Sequence, residues 1–193
     1  MTLNELAIKY GSDKADQAFG MQPHGYCDSY GLYLPKEPNS LLEIGCMHGA
    51  SLKMWKDYFP HARIATFDLF QNEEFASKES MEQLGIKCYQ GDQGYTQDLS
   101  QIHEPYEVII DDGSHRSDHQ LISFKYLWKY VLKPRGVYVI EDLHCCLEES
   151  FRFGKPFEET VLGLAKMNSI DSLFHDIEKW VLINDKIIFI WKS

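Results

Sequence analysis

Two stretches of the chain set acidic side chains where chemistry can use them: IIDDGSH (109–115) and YVIEDLH (138–144). Each is an apolar, β-branched run that ends in paired carboxylates, Asp111 with Asp112 and Glu141 with Asp142, and His115 follows the first pair. Carboxylates at neighbouring strand ends repel one another unless a cation, a hydrogen-bonded ligand or solvent separates them. Asp112, Glu141 and Asp142 are oxygen ligands of the kind that suit Mg²⁺ or Mn²⁺. Such an ion binds two oxygens of an acceptor and lowers a hydroxyl's pKa. His115, whose ordinary pKa is about 6.5, suits the base that takes that hydroxyl's proton. Helix capping by Asp111 and Asp112, with Ser114 or Ser117 helping, is the structural alternative, but it gives Glu141 and Asp142 no task. His115 and His119 also stand at the i, i+4 spacing of a zinc pair, yet HRSDH lacks the glutamate that a metalloprotease places after its first histidine. His144, Cys145 and Cys146 show no ligand spacing; His144 is a candidate for the acceptor's surroundings.

A second set of residues suits a ligand with a ribose. In LLEIGCMHGAS (41–51), Gly45 and Gly49 keep the spacing of the outer glycines of a strand-to-helix ligand loop, and Met47 replaces the middle glycine that a pyrophosphate needs. That substitution weighs against an NAD-dependent oxidoreductase. Glu43 points the same way, because a carboxylate repels phosphate. Asp68, followed by Leu69, can accept both hydroxyls of a ribose. Asp92 with Gln93 can accept the proton of an adenine amino group. Glu43, Asp68 and Asp92 together form an acidic rim for a ligand with ribose, adenine and a positive centre but no phosphate. S-adenosylmethionine meets that description.

These residues need strands to hold them in a row. Apolar, β-rich runs occur at 40–46, 63–69, 86–92, 106–112 and 136–142, and helix-period stretches separate them. Leu52, Trp55 and Phe59 fall at helical spacing, as do Leu121, Phe124, Trp128 and Val131. Strands apolar on both faces and alternating with helices predict an α/β fold with a mostly parallel sheet covered on both sides. The terminal stretch IEKWVLINDKIIFIWK predicts two strands joined by a tight turn at Asn184 and Asp185, after a helix from about 157 to 167. The expected architecture is a Rossmann-like, seven-stranded sheet with a C-terminal antiparallel hairpin. In such sheets ligands bind at the carboxyl ends of the strands, where all the acidic residues above fall.

At 193 residues the chain suits one domain (1–193), with 1–35 as an N-terminal cap or lid and 36–193 as the core. A formal charge of −10 argues against a nucleic-acid partner, since phosphate binding needs clustered Lys and Arg. Neither a secretory signal nor a membrane-length apolar run is apparent, so a cytoplasmic protein with no membrane partner is expected. Five cysteines without a CxxC pair read as reduced structural thiols. Trp180 and Trp191 are candidates for a contact between copies of the chain, that is, a homo-oligomer.

The series YGSDK, HGYCDSY, LLEIGCMHGASLKMW, YFPHARIATFDL, GDQ, VIIDDGSH and SFKYLWKYVLKPRGVYVIEDL, spread over about residues 3–145, resembles the metal-dependent sugar O-methyltransferases of macrolide biosynthesis, the mycinamicin and macrocin type. It is also similar to cephalosporin-hydroxylase-like proteins. The resemblance implies the class I S-adenosylmethionine-dependent methyltransferase fold, metal ligation by Asp112, Glu141 and Asp142, and His115 as catalytic base. It implies cofactor contacts from Glu43, Gly45, Ser51, Asp68, Asp92 and Asp111, which join Gly49, Leu69 and Gln93 from the loop and strand ends. The implied cofactors are S-adenosyl-L-methionine and Mg²⁺ or Mn²⁺, and the implied partner is a small hydroxylated acceptor that carries a sugar. Lys14, His24 and Tyr26 lie in the segment that could close over the site. The segment after Leu143 does not match the acceptor-binding insertions of the family, so the acceptor is left open. Competing expectations are a non-methylating binding subunit of a hydroxylase-like system and a metal-dependent hydrolase using the same carboxylates.

Overall fold

A computed structural model describes residues 1–17 and 22–193. Seven strands are present: β1 (Ser40–Ile44), β2 (Arg63–Asp68), β3 (Lys87–Gln90), β4 (Tyr106–Asp111), β5 (Leu132–Ile140), β6 (Ile177–Ile183) and β7 (Ile187–Lys192). They form a single sheet in the order β3-β2-β1-β4-β5-β7-β6. The first five run parallel, and β7 lies antiparallel between β5 and β6. Strand order reverses between β1 and β4, which leaves a crevice at their carboxyl ends.

The helices among the described residues are α1 (Leu3–Tyr10), α2 (Cys27–Tyr33), α3 (Ala50–Tyr58), α4 (Lys78–Gln83), α5 (Thr96–Leu99), α6 (Ser117–Tyr130), α7 (Glu149–Arg152) and α8 (Val161–Lys166). Because side chains alternate along a strand, neighbouring apolar residues go to opposite cores. Leu42, Ile109 and Tyr138 pack with Phe124 and Trp128 of α6 on one face. Leu41, Ile110 and Val139 pack with Trp55 of α3 and Tyr30 of α2 on the other. Both faces are therefore covered, and the strands can be apolar throughout.

The terminal hairpin turns where the residue types predict. Asn184 and Asp185 both have positive φ, 52° and 59°, and the Lys186 N–H donates to the Ile183 carbonyl at 3.0 Å. Two successive left-handed residues match the right-handed twist of the flanking strands. The helix expected from 157 to 167 is divided. A short 3-10 turn (Phe157–Glu159) ends at Thr160, whose extended backbone starts α8 and whose hydroxyl accepts the Gly163 N–H at 3.0 Å. A capped start satisfies one of the free N–H groups of the helix, so the chain breaks at the threonine. None of the five cysteines is in a disulfide. Burial pushes the Cys27 and Cys46 thiols up to about 12 and Cys88 up to about 11. Among the described residues no helix is long and apolar enough to cross a membrane.

Candidate functional site

Backbone hydrogen bonds carry the parallel ladder past the strand ends. The Gly45 N–H donates to the Phe67 carbonyl (2.9 Å), Asp112 N–H to Ile44 (3.0 Å) and Glu141 N–H to Asp111 (3.0 Å). These bonds align the loops after β1, β2, β4 and β5 along one edge. Gly45 has φ of 97°, and a Cβ there would overlap the Asp112 carbonyl, so no other residue type fits between these two loops.

The loops and the end of β3 enclose a cavity of about 1050 Å³. Six carboxylates lie on its wall, those of Asp13, Asp68, Glu73, Asp92, Asp112 and Asp142, against the cationic Lys53 and Arg116. This balance suits a ligand with a positive centre better than one with phosphates. Gly45, Met47, Ser51, Leu69 and Gln93 complete that side of the wall. Asp68 is fixed by N–H groups from Cys46 (2.8 Å) and Phe70 (2.7 Å). Asp92 accepts the Gly94 N–H at 2.8 Å, with His119 Nδ1 3.7 Å away. Gln93 links the strand ends: its amide donates to Asp111 (3.1 Å) and its carbonyl accepts the Ser114 N–H (2.8 Å).

Two residues expected at the cofactor stand behind that wall. Glu43 is fully buried, accepting the Ser51 hydroxyl at 2.8 Å, and Asp111 is buried under Gln93, Ser123 and Tyr138. Burial raises Glu43 to about 7 against the pull of Lys14, and Asp111 to about 6 despite its hydrogen bonds from Ser123 and Gln93. Glu43 thereby holds the Ser51 hydroxyl, and Asp111 the Gln93 amide. Gly49, with φ of 71°, heads α3 and is likewise off the wall.

At the other end of the cavity the carboxylates divide into two groups. Asp112, His115 and Asp142 offer ligand atoms within 4.8 Å of one another, and so do Glu43, Asp112 and Glu141. The expected trio of Asp112, Glu141 and Asp142 is not gathered as one such group, because Glu141 turns inward. It accepts the Tyr30 hydroxyl and the Lys14 ammonium, the latter at 2.8 Å. Asp142 faces the cavity side. Its Oδ1 accepts the Tyr26 hydroxyl at 2.6 Å and stands 3.4 Å from His24 and 3.9 Å from His144; its Oδ2 is 3.8 Å from His115 Nε2. Both His115 and Asp142 adopt left-handed backbone, φ 57° and 52°, a region that histidine and aspartate enter more readily than most residue types. His115 Nδ1 is buried without a hydrogen-bond partner.

No protein-family model matches the chain. Among curated proteins it is 33% identical over 186 residues to mycinamicin VI 2''-O-methyltransferase of Micromonospora griseorubida, covering 90% of this chain and 44% of that protein. It is 34% identical over 184 residues to demethylmacrocin O-methyltransferase of Streptomyces fradiae, covering 90% and 45%. Among solved structures, MycE methyltransferase from the mycinamycin biosynthetic pathway, in complex with Mg, SAH and mycinamycin VI, matches with a TM-score of 0.77 at 28% identity, over 100% of this chain and 55% of that one. This chain has the class I methyltransferase fold. Its curated homologues are O-methyltransferases, as the sequence motifs implied, and it spans about half their length. A more distant structure, SAH-bound PaMTH1 of Podospora anserina, shares the fold alone, at a TM-score of 0.57 and 18% identity.

Within the methyltransferase fold, the strand-end rule located Asp68, Asp92, Asp112 and Asp142 on the cavity wall. The resident partner of the inner carboxylates escaped it. Lys14, noted in the sequence as a lid residue, places its ammonium 2.5 Å from Asp112 Oδ2, 2.8 Å from Glu141 Oε1 and 3.3 Å from Glu43 Oε1. Burial alone would lower its pKa, but Asp112, Glu141 and Glu43 hold it well above the usual lysine value. Tyr30, also missed, faces Glu141 across 111 positions of sequence. A tyrosine four positions after the glycine-containing HGY stretch is the faint signal that was available.

Proposed function

We propose that this chain transfers a methyl group from S-adenosylmethionine to a hydroxyl of a small, sugar-bearing molecule, with Mg²⁺ or Mn²⁺ held by Asp112 and Asp142. The observation that carries this reading is the cavity itself, which runs from the carboxylates at the ends of β2 and β3 to a carboxylate and imidazole group at the ends of β4 and β5. The donor set suits both groups: oxygen ligands with an imidazole beside them for a divalent cation, and an acidic wall for a sulfonium nucleoside. When bound, the nucleoside would supply an electrophilic methyl group and the ion a positive charge that lowers the pKa of the acceptor's hydroxyl.

The residues of the chain divide the remaining work. Asp68 and Asp92, already set by backbone N–H groups, have lone pairs left to accept hydroxyl and amino protons. Tyr26 orients Asp142, and Glu141 reaches Asp112 through the Lys14 ammonium they share. His115 stands beside Asp142 to receive the acceptor's proton. Most of the acceleration comes from alignment of acceptor oxygen and methyl in the cavity. The homologues named for methylation of glycosylated natural products support the acceptor class.

Calorimetric titration with S-adenosylhomocysteine, followed by a methyl glycoside with a vicinal diol in Mg²⁺ and again in EDTA, tests the proposal. Cofactor binding and Mg²⁺-dependent diol binding are expected. A protein that binds neither S-adenosylhomocysteine nor S-adenosylmethionine would overturn it.

A further inference from the structure

The inner group of carboxylates has the make-up of a cation site. Glu43, Asp112 and Glu141 bring ligand oxygens within 4.8 Å of one another, and Glu43 and Glu141 are almost wholly buried. What lies between them is Lys14, itself 0% exposed. An ammonium has three N–H donors, and here it meets three carboxylates. The match is incomplete on one side: Glu43 Oε1 is buried at 3.3 Å from the nitrogen yet accepts no hydrogen bond. The backbone holds the lysine in place, since its carbonyl accepts the N–H groups of Tyr26 (2.9 Å) and Cys27 (3.1 Å) at the start of α2. Asp112 belongs to both this group and the outer one with His115 and Asp142.

We propose that Lys14 is a built-in cation occupying the inner of two carboxylate groups, each able to take a divalent ion, so that the chain binds one such ion, at the outer group beside the cavity. This deepens the reading above and rests on it for the outer ion. Placing a covalently attached charge at the inner group has two effects. Asp112 and Glu141 keep their arrangement when the divalent ion leaves, because the ammonium cannot be chelated. The residue is a positioning residue: it acts on the outer ion through Asp112, not on the acceptor.

The test counts ions. Mn²⁺ bound per chain is measured by equilibrium dialysis with electron paramagnetic resonance detection of the free ion, for the wild type, Lys14→Met, and Lys14→Met combined with Glu43→Gln. The expected counts are one, two and one, since of the two carboxylate groups Glu43 belongs to the inner alone. Thermal unfolding supplies a readout independent of catalysis. Lys14→Met should lose stability in EDTA and regain it with Mn²⁺ over a second binding step that the wild type lacks. A wild type that binds two ions overturns the inference, and so does a Lys14→Met protein that folds but gains none. Failure of Lys14→Met to fold even in Mn²⁺ also overturns it, because a divalent ion should replace the lost charge. If the wild type binds no ion while Lys14→Met binds one, the inner site stands and the outer ion of the proposed function falls.

Discussion

Asp142 shows how much of this site is decided residue by residue. A tyrosine hydroxyl and three imidazoles surround one carboxylate, and the left-handed backbone at 142 aims it at them. Of these neighbours His115 is the one that also lines the cavity. His115→Ala should lower kcat by about 10²-fold or more while S-adenosylhomocysteine affinity, measured by calorimetry, stays within experimental error. A matching loss of cofactor affinity would assign His115 to binding instead. The acidic residues and His115 were legible in the sequence because strand ends of a parallel sheet converge by rule. The inward turn of Glu141 was not, since it depends on Lys14 and Tyr30, which lie more than a hundred positions away. Nor did spacing show that Asp111 is spent on Gln93 and Ser123.

At the scale of elements, the parallel strands follow from apolar runs alternating with helix-period stretches, and the terminal hairpin from its turn chemistry; both were readable. Strand apolarity on two faces requires two cores, and the structure has them. Shorter helices were harder to read. The segment around α8 looked continuous because Phe157, Val161 and Leu164 share a helical spacing, but the Thr160 cap prevails over that spacing. Thr160→Ala should cost about 1 kcal/mol in urea unfolding, and Thr160→Ser much less. Equal losses in the two variants would place the effect in the methyl packing of Thr160 rather than its hydroxyl. The same signal, Thr2 followed three positions later by Glu5, forms a complete capping box at α1.

For the whole molecule, the hairpin ties the end of the chain to the middle. The Trp128 indole N–H donates to Asp176 at 2.8 Å, and the Lys192 ammonium donates to the carbonyl of Trp128 at 2.6 Å. Burial would raise the Asp176 carboxyl, but the indole and Lys192 outweigh it and hold its pKa below the ordinary aspartate value. Stability from this group is therefore complete above the unfolded pKa, about 3.9, and is lost as the pH falls through the lower folded value. The difference in unfolding free energy between wild type and Asp176→Asn should be constant from neutral pH down to about 5 and shrink below it. A difference that grows on acidification would contradict this sign. The formal charge of −10 is concentrated in part on the cavity wall, so a cationic ligand placed there would relieve self-repulsion.

The seam between Gly45 and Asp112 has a thermodynamic meaning. The loop on the proposed nucleoside side and the loop on the proposed ion side touch backbone to backbone, with no room for even a methyl group between them. Neither can shift alone, so a ligand that settles one loop also settles the other. Filling order then matters: Mn²⁺ should bind more tightly to protein already carrying S-adenosylhomocysteine, and by linkage the nucleoside must gain the same factor from the ion. Two titrations run in opposite order would give that one factor twice.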